Sequence, residues 1–265
     1  MDRLLEVIYE DPELLVANKP AGLVCHPTKT DVYSSLISRV RLYLGEKSRP
    51  HLINRLDRET SGVTIIAKDD LTAGRLGKLW ESRKVRKEYL AIVHGHPGEQ
   101  HGFIAQPLGK DTASRVAIKD CVRPDGSPAS TEYWVESRFV RHNDCYVGSG
   151  KPAVESVISW GNPLASRTKV RAFSLLRVVP LTGRKHQIRI HLAHIGHPIV
   201  GDKLYSGDED LYLAFVEGRQ TGEQKSRLIL LYQALHAEQV SFSWKDELWH
   251  FTAPAEPWFA SFASM

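Results

Sequence analysis

The chain has 265 residues, of which 42% are hydrophobic and 25% are charged, the composition of an ordinary globular protein with a buried core. Lys and Arg number 35 against 31 Asp and Glu, so the net charge of +4 permits a polyanionic partner without requiring one. The three cysteines are far apart, which excludes a disulfide framework and a cysteine-rich zinc site. No apolar run approaches the ~18 residues of a membrane span, and acidic residues interrupt the N-terminal apolar runs, so we expect no membrane association and a cytoplasmic location.

The order of predicted elements begins with two short strands, over 5–9 and 14–18. Apolar spacing then predicts helices over 32–44 and 70–82, and two or three strands are expected before a turn at 124–126. Runs of β-branched or alternating apolar residues predict the remaining strands at 62–67, 86–94, 131–140, 171–179, 227–232, 236–243 and 248–252. Strands outnumber helices without regular alternation, so the predicted fold class is α+β with a central mixed or antiparallel sheet and flanking helices and loops.

Two stretches lack apolar periodicity. Residues 141–168 are rich in Gly, Ser, Asn and Pro, and residues 206–226 are rich in Gly, Asp, Glu and Gln. We interpret 141–168 as a loop insertion within one compact domain, not as a linker between two cores.

The densest group of reactive side chains lies in residues 51–68, HLINRLDRETSGVTIIAK. Asp57 stands between Arg55 and Arg58, just before a buried strand, and a loop that ends in a strand holds a carboxylate rigidly. Two neighbouring guanidinium groups favour the ionised carboxylate and are suited to binding phosphate. From these residues alone, a surface turn with ordinary ion pairs is an open alternative.

A second group lies in residues 181–203, LTGRKHQIRIHLAHIGHPIVGDK, where Thr182 is the predicted N-cap of a helix that starts near Arg184. Arg184, Lys185 and Arg189 bring three cations close together. Like charges one turn apart repel slightly, so the cluster is favourable only where an anion lies opposite. That anion is a phosphate or a buried carboxylate, and a solvated basic helix face is the alternative.

Two further signals are weaker when taken alone. Tyr89 lies in a strand-like run, where a tyrosine either packs on the sheet or forms a platform on which a base stacks. His191, His194 and His197 recur at intervals of three, but no carboxylate ligand or HExxH pattern accompanies them. We therefore expect no metal site.

Five segments follow one another in a characteristic order: NKPAGLV (18–24), RLDRETSG (55–62), KEYLA (87–91), TGRKHQIRIHLAHIGHPIVGD (182–202) and LHA (235–237). In this order they resemble the RluA family of RNA pseudouridine synthases, and the resemblance extends over about residues 6–253. It implies a single catalytic domain, spanning 1–265, with a central mixed sheet and an RNA-binding cleft across it.

The resemblance also implies roles for individual residues. Asp57 matches the essential catalytic aspartate, and Arg189 matches the arginine that pairs with it. Tyr89 matches the tyrosine that stacks on the flipped uracil. Arg55 matches an arginine that helps to flip the target uridine, and Ile190 matches an apolar residue that packs near the uracil.

The implied reaction is an isomerisation of uridine in rRNA or tRNA, with no DNA substrate expected. The N1–C1′ bond breaks, the uracil turns, and C5 bonds to C1′, after the enzyme has extruded the base at a cost of roughly a few kcal/mol. Because no atoms or electrons are gained, we expect no ATP, metal or redox cofactor. We also expect a monomer.

The sequence departs from the family pattern in two places. Asn54 stands where the family usually has His directly before RLD, and an asparagine can still donate and accept hydrogen bonds. Many relatives carry an N-terminal S4 RNA-binding domain, whereas here the catalytic block begins almost at once, so we expect none. Substrate choice would then depend on the cleft and on the insertion at 141–168.

Two other functions remain as alternatives. The first is an RNA-binding protein without catalysis, and the second is a hydrolase or nuclease that uses Asp57 with a metal. Binding alone does not need Asp57, Tyr89 and Arg189 together, and a metal site would need another carboxylate or histidine ligand beside Asp57. Both points favour the synthase.

Overall fold

A computed structural model of the protein describes residues 4–27, 35–45, 47–142 and 170–264. The strands in these residues are β1 (Val7–Glu10), β2 (Leu14–Lys19), β3 (His51–Leu52), β4 (Ser61–Ala67), β5 (Val85–His94), β6 (His101–Ala105), β7 (Leu108–Lys110), β8 (Asp120–Val122), β9 (Ser130–His142), β10 (Val170–Pro180), β11 (Leu235–Trp244) and β12 (Glu247–Thr252). The helices are α1 (Leu36–Leu44), α2 (Asp70–Glu81), α3 (Gln187–His194), α4 (Glu209–Val216), α5 (Gly222–Leu228) and α6 (Pro257–Ala263).

The centre of the molecule is one large sheet with the strand order β1-β2-β4-β11-β5-β10-β9-β6. At its margins β12 pairs with β11 and β3 pairs with β4, while β7 and β8 form a separate two-stranded sheet. Within the described ranges, β4 and β11 are the one parallel pair of the large sheet, and its other pairs are antiparallel. The architecture is therefore α+β with a mixed sheet, as predicted.

The parallel junction depends on a glycine. Gly62 has a φ of 116°, and a Cβ built on it would lie 2.2 Å from the backbone oxygen of Ala237 on β11. Only a residue without a side chain permits this approach. The glycine in the RLDRETSG segment thus allows β4 to join β11 directly after the loop that carries Asp57.

Two large apolar clusters cover different parts of the sheet. One includes Ile92, Phe173 and Leu176 with side chains from α3 and α6, and the other includes Ile65 and Phe242 with side chains from α2. All seven residues of β4 are buried, which explains its continuous β-branched run. The sheet is therefore a rigid base for the loops between its strands.

The predicted strand over 227–232 is wrong. Helix α5 continues to Leu228, and Ile229 then adopts a left-handed φ of 67°. The side chains of Leu228, Ile229 and Leu230 are all buried, so the apolar run marks core packing at a helix end. A short buried run does not by itself distinguish a strand from such a segment.

The start of α3 also differs from the prediction. The helix begins at Gln187, and His186 occupies the N-cap position with a left-handed φ of 55°. Thr182 is not the cap; its hydroxyl donates instead to Gln187 Oε1 at 2.6 Å.

Residues 206–226, which lack apolar periodicity, contain α4 and most of α5, whose N-caps are Asp208 and Thr221. The proposed insertion at 141–168 lies outside the described residues, except for its first two residues at the end of β9.

Candidate active site

Asp57 lies in the loop between β3 and β4, and Asn54 ties the two sides of that loop together. The Asn54 side chain donates to the Val63 oxygen at 3.1 Å and accepts from the Ile65 amide at 2.7 Å. The asparagine thus uses both its donor and its acceptor in a buried position. The departure from the usual histidine is accommodated inside the loop.

A buried lysine holds the same loop from the other side. Lys19, at the end of β2, is fully buried, and its Nζ donates to the backbone oxygens of Pro20, Leu23 and Arg58 at 2.8, 2.8 and 3.1 Å. Burial lowers the pKa of Lys19 to about 8. The ammonium group therefore connects the 19–23 turn to the residue that follows Asp57.

Side chains before and within β11 fasten the residues after Asp57. Gln233 donates to the Thr60 hydroxyl at 2.6 Å, and the Ser61 hydroxyl lies 2.9 Å from Nδ1 of His236. Nε2 of His236 lies 2.9 Å from the oxygen of Ala253 and donates to it, so Nδ1 accepts from Ser61. The LHA segment thus serves to hold the TSG residues.

Helix α3 brings Arg189 to Asp57, although the two residues are 132 positions apart in the chain. Arg189 Nη1 donates to Asp57 Oδ2 at 2.7 Å. On its other side, Nε and Nη2 donate to the two oxygens of Asp202 at 2.7 and 2.9 Å. The guanidinium is a buried bridge between one carboxylate that is half-buried and one that is fully buried.

The charge of Asp57 is set by two opposing effects. Burial raises the pKa of Asp57, but the positive charge and hydrogen bond of Arg189 outweigh it and hold the pKa below the ordinary value of 3.8. The carboxylate is ionised at neutral pH. Its side chain is 32% exposed, and Oδ1 makes no hydrogen bond within the described residues. One oxygen is therefore held and the other is free to act on a substrate.

His186 and Tyr205 complete the polar wall beside this pair. Nε2 of His186 lies 3.8 Å from Asp57 Oδ1, and Nδ1 lies 2.9 Å from the Tyr205 hydroxyl. Burial, with the nearby Arg189 charge, lowers the pKa of His186 to about 4, so the ring is neutral at pH 7. The Arg189 guanidinium lies over the Tyr205 ring at 4.9 Å, a cation–π contact.

Tyr89 lies on β5, opposite Val178 of β10 and Ala237 of β11, at the centre of the sheet. Its side chain packs against the apolar cluster that includes Ile92. Burial and the charge of Asp57 both raise the pKa of the Tyr89 phenol, so the ring is uncharged. The charge of Asp57 thus acts on the Tyr89 phenol, but the Tyr89 side chain does not line the open space beside Asp57.

A cleft of about 430 Å³ opens at Asp57. Arg189 and His186 line it on one side, and α4 contributes the rings of Tyr212 and Phe215. Lys203 forms part of its floor, where Nζ donates to both oxygens of Glu59 at 2.8 Å and lies 4.7 Å from the centre of the Phe215 ring. The cleft thus combines the ionised Asp57 and the Lys203–Glu59 pair with aromatic side chains, which suits a planar base.

The other predicted site residues occupy different positions. Arg58 lines the cleft and donates to the Gly22 oxygen at 3.1 Å, whereas Arg55 is exposed and does not line it. Arg184 is exposed and donates to the Pro128 oxygen at 3.1 Å. Lys185 pairs with Asp120 at 2.8 Å. Ile190 is only 4% exposed, within the apolar cluster that includes Leu108 and Leu204.

Sequence reasoning singled out none of the supporting residues, which are Lys19, Glu59, His186, Asp202, Lys203, Tyr205, Tyr212 and Phe215. One signal pointed to Asp202: the crowded cations before and within α3 required an anion, and a buried carboxylate was one of the two candidates. Lys19, Glu59 and His186 lie inside three of the segments that carry the family resemblance. The others, Lys203, Tyr205, Tyr212 and Phe215, lie in a turn or in α4 and carry no local pattern. Among the described residues, no group of three or more His, Cys, Asp or Glu side chains is placed to hold a metal ion. None of the described helices has the length and apolar character needed to cross a bilayer.

The chain is similar in sequence to known RNA pseudouridine synthases. The model of the RNA pseudouridylate synthase family matches residues 13–194. An uncharacterized RNA pseudouridine synthase of Chloroflexus aurantiacus is 35% identical over 89% of this chain and 61% of its own length. Ribosomal large subunit pseudouridine synthase D of Yersinia pestis is 28% identical over 95% of this chain and 68% of its own length. The chain thus spans between half and about two thirds of the length of several such relatives.

A solved structure supports the fold. Human RNA pseudouridylate synthase domain containing 1 superposes with a TM-score of 0.68 over 96% of this chain and 86% of that protein, at 22% identity. The family match covers more than half of the chain, and it includes the loop of Asp57, the strand of Tyr89 and the whole of α3. The chain therefore belongs to the RNA pseudouridylate synthase family, in its RluA branch.

Proposed function

We propose that this protein is an RNA pseudouridine synthase that isomerises uridines in rRNA or tRNA with Asp57 as the catalytic residue. The observation that carries this proposal is the Asp57–Arg189 pair. An ionised carboxylate stands at a cleft with one free oxygen, and the guanidinium that holds its other oxygen is itself fixed by Asp202. Binding of RNA alone does not require a carboxylate there, because a carboxylate repels phosphate.

The proposed reaction starts from a uridine that has been turned out of its stack, at a cost of roughly a few kcal/mol. Asp57 acts at the bond between sugar and base. The N1–C1′ bond breaks, the uracil turns, C5 bonds to C1′, the C5 hydrogen leaves as a proton, and N1 gains a proton. Atoms and electrons balance within the nucleotide, so the reaction calls on no cofactor.

In this proposal each site residue has one role. Arg189 keeps Asp57 ionised and oriented, and Tyr89 stacks on the flipped uracil. Arg55, which is exposed in the same loop as Asp57, helps to flip the uridine. Ile190 supports the uracil pocket from the core.

Three of the predicted site cations are assigned to the RNA backbone. Arg58, Arg184 and Lys185 contact RNA phosphates. For Lys185 this requires that the phosphate compete with or join its partner Asp120.

We place the activity in a single domain of a cytoplasmic monomer, spanning 1–265. The substrate class rests on relatives named as a ribosomal large subunit synthase and as a dual-specificity RNA synthase. A 2′-hydroxyl distinguishes RNA from DNA at such a site.

The experiment is tritium release from RNA labelled at uridine C5, because this carbon loses its hydrogen when it becomes the glycosidic carbon. Bulk tRNA and bulk rRNA are compared with the wild-type protein, with Asp57→Asn, and with the control Asp125→Asn, which changes an exposed carboxylate. We expect release from one or both RNA classes, no release with Asp57→Asn, and wild-type release with Asp125→Asn. Salt-sensitive RNA binding without release by the wild type would instead establish an RNA-binding protein without catalysis.

A further inference from the structure

A second and larger cleft, of about 700 Å³, lies where β5 begins and where β10 and β11 end. Its cationic side chains are Arg83, Lys84, Arg86, Lys87 and Arg184, and Glu81 is the one acidic residue among the side chains that line it. For a protein with a net charge of +4, this is a marked local concentration of positive charge.

Several of these cations have no acidic partner in the described residues, although Arg86 pairs with Glu88. Arg177, for comparison, contacts three glutamates, and Lys119 contacts Asp111 and Glu209. Arg83 and Lys84 are exposed, and in the described part of the chain neither forms an ion pair or hydrogen bond through its side chain.

Lys87 is the innermost cation of the cleft. It is half-buried, and burial together with the charge of Arg83 lowers its pKa. No carboxylate in the described residues pairs with it. The repulsion between such unpaired cations is relieved when an anion binds among them.

Two elements of the fold link this cleft to the candidate active site. Lys87 and Tyr89 are two positions apart on β5, so their side chains lie on the same face of the sheet, about 7 Å apart along the strand. The 181–184 loop lines the cleft and leads directly into α3, which carries Arg189. The cleft therefore lies along the two elements that carry Tyr89 and lead to Arg189, so an RNA strand that continues along them from Asp57 meets these cations.

The surface of the cleft also has apolar parts. Leu248 is 77% exposed and Leu181 is 43% exposed, and Trp80 contributes to the wall. Cations beside exposed apolar groups form the kind of surface that binds a single strand, with phosphates on the charges and bases on the apolar side chains.

We propose that this cleft binds the phosphates of the RNA strand next to the target uridine, with Arg83 and Lys84 as phosphate contacts at its exposed side. The proposal rests on the proposed synthase function for the identity of the polymer. It adds a binding surface formed by residues 83–87 together with the 181–184 loop, outside the cleft that holds Asp57.

The test uses the full chain and compares two double variants that remove equal charge. Arg83→Gln with Lys84→Gln removes two exposed cations from the cleft, whereas Arg75→Gln with Lys78→Gln removes two exposed cations from α2 that do not line it. RNA affinity is measured against salt concentration, with the bulk rRNA and tRNA of the release assay as probes. The KM for the RNA that releases tritium is measured in parallel.

We expect the cleft variant to flatten the plot of log affinity against log salt by about 1.4, since each lost contact to a single strand removes about 0.7 from the slope. At 0.1 M salt this corresponds to about a 25-fold weaker affinity, or about fivefold per contact, and to a similar rise in KM. The α2 variant should leave the slope and KM at their wild-type values.

Equal slopes for the two double variants would overturn the proposal while leaving the synthase function standing. Polyglutamate of matched charge serves as a second probe. Loss of polyglutamate binding in the cleft variant with unchanged RNA affinity would show that the cleft takes an acidic protein, and would also overturn the proposal. Absence of tritium release by the wild type refutes the synthase function alone, because the salt slopes are measured by binding.

Discussion

Replacing Asp202 with asparagine should destabilise the protein far more than the same replacement at Asp57. Oδ1 of Asp202 accepts three hydrogen bonds, from Arg189 Nη2 and from the amides of Leu204 and Tyr205, and Oδ2 accepts one from Arg189 Nε. An asparagine keeps the shape but turns one oxygen into a donor. In its better orientation the amide oxygen takes the Oδ1 position and the new NH2 group takes the Oδ2 position. Two donors then face each other, because Arg189 Nε lies 2.7 Å from Oδ2 in the wild type.

The magnitude follows from burial. Asp202 is fully buried, and removing one partner of a buried ion pair costs about 3–5 kcal/mol because the other charge is left uncompensated. Asp57 is 32% exposed, so water can replace its bond to Arg189, and Asp57→Asn should cost about 1 kcal/mol or less. Both variants should lose activity, Asp57→Asn through loss of the reacting carboxylate and Asp202→Asn through a displaced Arg189.

Urea unfolding of the wild type and the two variants measures the stabilities, and tritium release measures the activities. The expected result is an Asp57→Asn protein that is inactive yet unfolds near the wild-type midpoint, and an Asp202→Asn protein with a clearly lower midpoint. If Asp202→Asn unfolds within 1 kcal/mol of the wild type, roughly the size of one ordinary hydrogen bond, the inference that Asp202 anchors the site is refuted. The same holds if Asp57→Asn is as unstable as Asp202→Asn.

Three further outcomes are expected. Because the pKa of Asp57 is depressed below 3.8, its ionised form is lost only as pH falls through that lower value, and the pH profile of tritium release should show no inflection from Asp57 between pH 5 and 8. An inflection there that Asp57→Glu displaces would contradict this assignment. Gly62→Ala should lower the free energy of unfolding by about 3 kcal/mol, since its Cβ meets a backbone oxygen and its φ is positive. The control Gly74→Ala, in α2 with open space around it, should stabilise by about 0.5–1 kcal/mol, and equal midpoints for the two would refute the packing argument. Lys19→Met should cost about 3 kcal/mol or more because buried carbonyls lose their donor, and a wild-type urea midpoint would show that other groups satisfy them.

Much of the fold could be predicted from local pattern. The continuous β-branched run at 62–67 corresponds to β4, and the apolar spacing over 70–82 corresponds to α2, because burial on two faces or on one stripe leaves a direct trace in the sequence. The run at 227–232 was misassigned, since apolar residues at a helix end look the same as a buried strand. Helix α4 does not follow from local pattern, because its apolar run over 211–216 is short and continuous, without helical periodicity, and polar residues flank it in the sequence.

The candidate site shows the same division. The amino-acid sequence identifies the groups that are available for chemistry: Asp57 with its arginine neighbours, Tyr89, and a cluster of cations that requires an anion. Which anion lies opposite the cations depends on the fold. Arg189 meets Asp57 across 132 positions and Asp202 across 13, and no periodicity in the chain encodes such a pairing. The charge state of Asp57 also depends on the fold. Burial raises the pKa of Asp57, and the Arg189 guanidinium, which lies on α3, lowers it.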